Sequence, residues 1–165
     1  MKKYGIFYGS ATGTTEKVAK MIAEKLGVKK DDLHDVRTVS PESLADYEVL
    51  ILGTSTWGDG EVEDDWYDLL AAVSVVSLPE KKVALFGCGD ETMTETFCNG
   101  VGELYKRMQP TGCRFIGAFN ADGFNFNHSS AIVDGKAVGL LLDQVNHADL
   151  TESKIDSWLE VIKNS

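Results

Sequence analysis

Proline and cysteine are scarce, three of each in 165 residues, and no apolar run approaches the roughly 18 residues that a membrane-crossing helix requires. Cys88, Cys98 and Cys113 are odd in number and have no CxxC spacing, so no disulfide framework is implied; the expectation is reduced thiols in a cytosol. Basic residues are also in deficit. Lys and Arg number 16 against 26 Asp and Glu, a net charge of -10, which argues against nucleic acid or an anionic membrane as a partner. A basic protein partner is compatible with that charge, and so is acidity that serves solubility alone. No Pro-rich, Ser-rich or low-complexity linker interrupts the chain, so one domain over residues 1–165 is expected. A strand begins directly after Met1-Lys2-Lys3, and the expected location is the cytoplasm.

Strand and helix signals alternate along the chain. Tyr4 to Tyr8 reads as a first strand, and Val18, Ile22 and Leu26 recur at four-residue spacing on a helix closed by Gly27. Leu33 to Val39 is a weaker strand, whereas Val49 to Gly53 is a continuous apolar run suited to a strand covered on both faces. Trp66, Leu69, Leu70 and Val73 follow helical spacing, as do Ile155, Trp158, Leu159 and Ile162, so both sets face a core. Val83 to Phe86 is another buried strand, followed by Phe97, Val101, Leu104, Tyr105 and Met108 on a helix that stops before Pro110. A last strand starts near Arg114 and breaks into a polar stretch with Asn120, Asp122, Asn125, Asn127, Asp134 and Gly135. It resumes over Ala137 to Leu142. The expected fold is α/β, a three-layer doubly wound five-stranded parallel sheet of order 2-1-3-4-5 with an insertion in the fifth strand.

In such a sheet the ligand crevice lies beyond the carboxyl ends of the strands, where Gly9 to Thr15, Thr54 to Glu63 and Gly87 to Phe97 should converge. The first loop, with Ser10, Ala11, Thr12, Gly13, Thr14 and Thr15, contains no Lys or Arg. An anion there would be held by backbone N–H groups, hydroxyls and the helix N-terminus. The Lys of GxxxxGK[ST] and the Cys and Arg of a phosphatase loop are missing, so phosphoryl chemistry is not indicated. GxGxxG is also missing, so a monophosphate fits better than a pyrophosphate. The bland alternative is a hydroxyl cap on the helix. In the second loop, Ser55, Thr56, Trp57, Gly58, Asp59 and Gly60 place an indole where a planar ring could stack, worth about 0.5–1.5 kcal/mol beyond area burial; a plain surface Trp is the alternative. In the third, Gly87, Cys88, Gly89 and Asp90 supply small residues for close backbone approach to a ligand.

These segments, with Asp65-Trp66 and Val138-Gly139-Leu140 ahead of Asp149-Leu150-Thr151, resemble the flavodoxin family over essentially the whole chain, and the interrupted fifth strand is similar to its long-chain branch. The resemblance implies a flavodoxin-like fold that binds flavin mononucleotide (FMN) and carries single electrons. Ser10 to Thr15 would meet the phosphate, and Trp57 one face of the isoalloxazine. Cys88, Gly89, Asp90 and Cys98 would offer backbone contacts to the pyrimidine edge. Cys98 reads equally well as a small buried residue. Long-chain members place a Tyr on the other ring face; the stretch Asp90 to Phe97 has none and is one residue shorter, so Met93 is the expected substitute. The Gly58-Asp59 peptide matches the one that in this family accepts the N5 proton gained on reduction.

The run Asp59, Glu61, Glu63, Asp64, Asp65 and Asp68 contains no base. A carboxylate about 10 Å from the ring at an effective dielectric near 40 disfavours the reduced anion by about 0.8 kcal/mol, roughly 35 mV per electron. Acids at a helix start also complement its dipole. Clustered beside an exposed cofactor they offer a docking face to basic redox proteins, for which the family implies ferredoxin-NADP reductase or pyruvate-type oxidoreductases. The expectation is a monomeric low-potential electron carrier and not an enzyme. The alternative is an FMN-dependent NAD(P)H quinone or flavin reductase on the same fold. His34, His128 and His147 show no metal-ligand spacing and read as packing or solvated residues.

Overall fold

The computed structural model describes residues 1–10, 12–57, 60–73 and 77–165, with the side chain of Trp57 excepted. Strand β1 (Lys2–Gly9) pairs in parallel with β2 (Leu33–Asp35) on one side and β3 (Tyr47–Trp57) on the other. A two-residue strand, β4 (Glu61–Val62), turns back antiparallel on the end of β3, and β5 (Lys82–Cys88) lies parallel to β3 on its far side. The outer position beside β5 is shared: β6 (Arg114–Ile116) pairs with Lys82–Ala84 and β9 (Leu140–Leu142) with Phe86–Cys88. The polar stretch between these halves is therefore an excursion from one strand position. It carries its own hairpin, β7 (Ile132–Val133) and β8 (Lys136–Ala137), whose Asp134-Gly135 turn has positive φ at both residues, as a two-residue hairpin favours.

Period-two alternation sorts the strands onto two faces. Val49 and Ile51 join Ile6, Ala84 and Phe86 under helices α1 (Thr14–Leu26) and α4 (Thr151–Lys163). Leu50 and Leu52 join Phe7, Val83 and Leu85 under α2 (Trp66–Val73) and α3 (Asn99–Met108). Helix–sheet–helix layering follows, and the continuous apolar run in β3 is explained by cover on both sides. Each buried indole places its one polar atom: Trp66 Nε1 donates to Gly53 O at 2.9 Å and Trp158 Nε1 to Gly117 O at 2.8 Å. β9 must pass close to β5 as it re-enters the sheet, and Gly139 permits this, because a Cβ there would stand 2.0 Å from Leu85 O.

Two expectations are corrected. Thr54 to Glu63 is not simply a loop, since Thr54–Trp57 continue β3 and Glu61–Val62 form a hairpin arm. Phe97 precedes α3; it is buried, but it is placed by a series of turns between Asp90 and Asn99. Among the described residues no helix is long and apolar enough to cross a membrane.

Candidate functional site

At the carboxyl end of β1, Gly9 passes into the Ser10–Thr15 segment. Gly13 N–H donates to Ser10 Oγ at 3.0 Å and the Thr12 and Thr14 hydroxyls meet at 3.3 Å. Gly13 adopts φ +88°, which a side chain would strain, and this turns the chain into α1. No side chain caps that helix, so the hydroxyl-cap alternative is not what the segment forms. Among the described residues the buried Thr15 hydroxyl has no partner within hydrogen-bond geometry, and the Cys88 thiol is a weak polar neighbour. A buried orphan donor is costly, and here it stands at an uncapped helix N-terminus, where the partial positive charge favours an anion. Ala11 lies outside the described residues.

β3 contributes Ser55 and Thr56. Thr56 Oγ1 accepts Gly100 N–H at 3.0 Å, which ties the β3 end to the start of α3. Gly60, at φ +101°, lies against Asn99. Gly58, Asp59 and the Trp57 side chain, which carry the stacking and peptide assignments, lie outside the described residues.

After β5 the small residues also serve packing, while Cys88, Gly89 and Asp90 keep one side toward the crevice. A Cβ on Gly87 would stand 2.2 Å from Val101 Cγ2, and one on Gly89 2.9 Å from both the N and Sγ of Cys98, so these glycines admit α3 and the turn before it. Cys88 and Cys98 are buried; burial pushes the Cys88 thiol up to about 12, with the neighbouring Thr15 hydroxyl pulling the other way, and pushes Cys98 well above the usual thiol range. Neither is a nucleophile at neutral pH. Cys98, at φ +52°, starts the turn into α3. Asp90 Oδ1 accepts Thr92 N–H and Oγ1–H at 2.9 and 2.6 Å, and these bonds hold its carboxyl below the usual range. Met93 stands 54% exposed at the rim.

A cavity of about 230 Å³ joins these elements, lined by Thr12, Thr14, Ser55, Thr56, Cys88, Gly89, Asp90, Met93 and Cys98. Thr96, Gln144 and Val145 line it too, and sequence reasoning passed over them. The signal was available. Gln144 and Val145 follow β9, whose carboxyl end faces the same crevice as those of β1, β3 and β5. Asp143, fully buried, organises this edge: Oδ1 accepts the Val145 and Asn146 N–H groups at 2.9 and 2.8 Å, and Oδ2 accepts Glu91 N–H and Asn146 Nδ2 at 2.9 Å each. The insertion backs the rim, with Phe126 and Phe124 packed on Phe97 at 4.8 and 5.3 Å between ring centres and Asn127 and His128 N–H donating to Thr94 O. His147 Nε2 and Glu91 Oε1 meet at 2.7 Å, and His34 stacks on Phe7.

The family model for flavodoxin matches residues 6–158. The chain belongs to the flavodoxin family. It is 40% identical to the flavodoxin of a Nostoc species over 164 residues, covering 99% of this chain and 96% of the relative. It is 38% identical to flavodoxin 1 of Azotobacter vinelandii over 168 residues, covering 99% and 97%. Among solved structures, Fusobacterium nucleatum flavodoxin bound to flavin mononucleotide superposes with a TM-score of 0.90 at 33% identity, covering 99% of this chain and 98% of that one. In this flavodoxin-family chain the crevice therefore stands at the place expected for a bound nucleotide.

The acidic run looks different in space. Glu61, Asp64 and Asp68 are exposed, but Glu63 is buried and Asp65 lies 3.7 Å from Arg37, a base contributed by the segment after β2. Glu63 to Asp65 also precede α2 instead of forming its first turn.

Proposed function

We propose that this chain binds FMN in the crevice and carries electrons between redox proteins, without a substrate reaction of its own. The single observation behind this reading is the buried, unpartnered Thr15 hydroxyl beneath an uncapped helix N-terminus, in a segment without a cation. That donor set fits a phosphate monoester: hydroxyls and N–H groups gain acceptors, and Thr15 loses its orphan status. When bound, FMN supplies a ring that takes up and releases electrons. The protein's own contribution is to hold the phosphate with neutral donors, to flank the ring with Trp57 and Met93, and to set its pyrimidine edge against the Cys88–Asp90 backbone. Asp143 and the insertion keep the 90s turns in place. The carbonyl of the Gly58-Asp59 peptide would accept a hydrogen bond from the N–H that the ring gains on reduction, and Gly60 would close that turn.

Glu61, Asp64 and Asp68 support docking to basic faces, such as those of ferredoxin-NADP reductase or pyruvate-type oxidoreductases, by a one-domain cytoplasmic monomer. The test is the visible absorbance of purified protein, followed by reductive titration. A flavin spectrum bleaching through a one-electron stage is expected; colourless protein that takes up no FMN on reconstitution refutes the reading.

A further inference from the structure

Glu63 is 3% exposed, although it belongs to what looks in sequence like a surface acidic run. Three elements close around it. Its N–H donates to Thr54 Oγ1 at 3.0 Å, its carbonyl accepts Trp66 N–H at 3.0 Å, and Oε2 accepts Asp65 N–H at 3.0 Å. The same Oε2 lies over Gly9, since a Cβ on Gly9 would come within 2.5 Å of it. The carboxyl is thereby wedged under the residue that immediately precedes the Ser10–Thr15 cradle.

We propose that Glu63 is a proton-linked gate on phosphate capture: the protonated carboxyl permits tight binding of the flavin phosphate, the ionised carboxyl opposes it, and coenzyme binding near neutral pH therefore takes up a proton. This rests on the FMN reading above. Burial, aided by the neighbouring Asp65 and Asp64 charges, pushes the Glu63 carboxyl up to about 7, so both forms are populated at working pH. Several other charges bear on it. From the segment after β2, Arg37 lies within its field, but that guanidinium is engaged by Asp35 at 2.7 Å and faces Asp65. From β1 and α1, Tyr8 is turned to Glu16. From β4, Glu61 is exposed. An arriving phosphate dianion adds like charge on the Gly9 side, so it must raise the Glu63 pKa further, and by linkage ionised Glu63 must weaken phosphate binding.

The test compares wild type with Glu63→Gln, which keeps an oxygen acceptor for the Asp65 N–H. FMN dissociation constants are measured from pH 6.5 to 8.5 by flavin fluorescence quenching. Proton uptake is measured at pH 7.5 by titration calorimetry in two buffers of different ionisation enthalpy. Wild-type affinity should fall on the order of 10-fold across this range relative to the variant, with fractional proton uptake at pH 7.5 that Glu63→Gln abolishes. Riboflavin, which lacks the phosphate, should show a much smaller difference between the two proteins. Parallel pH profiles for FMN, or no proton uptake by wild type, would overturn the gate, and the wild-type calorimetry decides the matter even if the variant folds poorly. Failure of both proteins to bind FMN at every pH would instead overturn the FMN reading itself.

Discussion

Thr15→Val separates a phosphate ligand from a core residue, because the two roles predict opposite signs. Valine matches threonine in shape and removes only the hydroxyl. Among the described residues that hydroxyl is buried and unpartnered, a situation that costs about 1–3 kcal/mol. Thr15→Val should then stabilise the apoprotein by about 1 kcal/mol, or about 2–4 °C in Tm for a chain of this size. With FMN bound, the variant lacks a hydrogen bond to a charged acceptor worth about 1.5–3 kcal/mol, so Kd should rise about 10- to 150-fold. Thermal melts of apo and reconstituted protein, with fluorescence titration of FMN, measure both. Thr15→Ser is the control: it keeps the hydroxyl and so the affinity, but loses a buried methyl and so stability. An apoprotein destabilised by Thr15→Val with unchanged FMN affinity would refute the cradle.

Asp143→Asn puts an NH₂ against hydrogen-bond donors that the buried carboxylate now accepts; a loss of about 2–3 kcal/mol in urea unfolding is expected, with weaker FMN binding as the 90s and 144–146 segments loosen. Met93→Tyr, at a position already exposed on the rim, should tighten FMN binding several-fold and alter the visible spectrum by adding a stacked phenol worth about 0.5–1.5 kcal/mol. Neutralising Glu61, Asp64 and Asp68 together should slow association with a basic redox partner at low ionic strength, and stopped-flow rates should converge with wild type at high salt. Apoprotein stability should also register Glu63. Its folded pKa lies above the unfolded value, so its contribution is fully present below about pH 4.5 and is lost as pH rises through about 7. Glu63→Gln should therefore flatten the stability profile between pH 5 and 8 by roughly 1–3 kcal/mol.

Sequence pattern carried furthest where one physical rule governs a long segment. The doubly covered run in β3 and the helical stripes on α2 and α4 were legible because burial repeats at every turn or pleat, and Trp66 and Trp158 sit in the core on those stripes. Phe97 was misplaced because the turns from Asp90 to Asn99 advance by three-residue hydrogen bonds, Met93 N–H to Asp90 O and Thr96 N–H to Met93 O, a spacing that imitates a helix. β4 is too short to show any period. The packing of Gly87 on Val101 and of Gly89 on Cys98 is not legible in sequence, since a glycine announces a close contact without saying with what. Gln144, Val145 and the Asp143 hub are legible in principle, because the fifth strand resumes over Ala137 to Leu142 and these residues follow its carboxyl end. Glu63 escaped because depth is a tertiary property that charge patterning does not encode.

The missing cation in the cradle and the buried acid beneath it act on the same quantity. A phosphate held by neutral donors keeps its negative charge, and Arg37, whose field reaches Glu63, is already paired with Asp35 and Asp65. An electron that a ring bound above this cradle takes up without a proton therefore adds charge to a region with no free counterion among the described residues, which favours passing the electron on. Protonation of Glu63 offers compensation inside the fold, because its carboxyl lies against Gly9, which leads into the cradle, and its pKa is pushed up to about 7 by burial. The same deficit of positive charge would thus make the bound flavin a strong reductant, leave the exposed acids free to attract a basic acceptor, and couple coenzyme retention to pH through a single side chain.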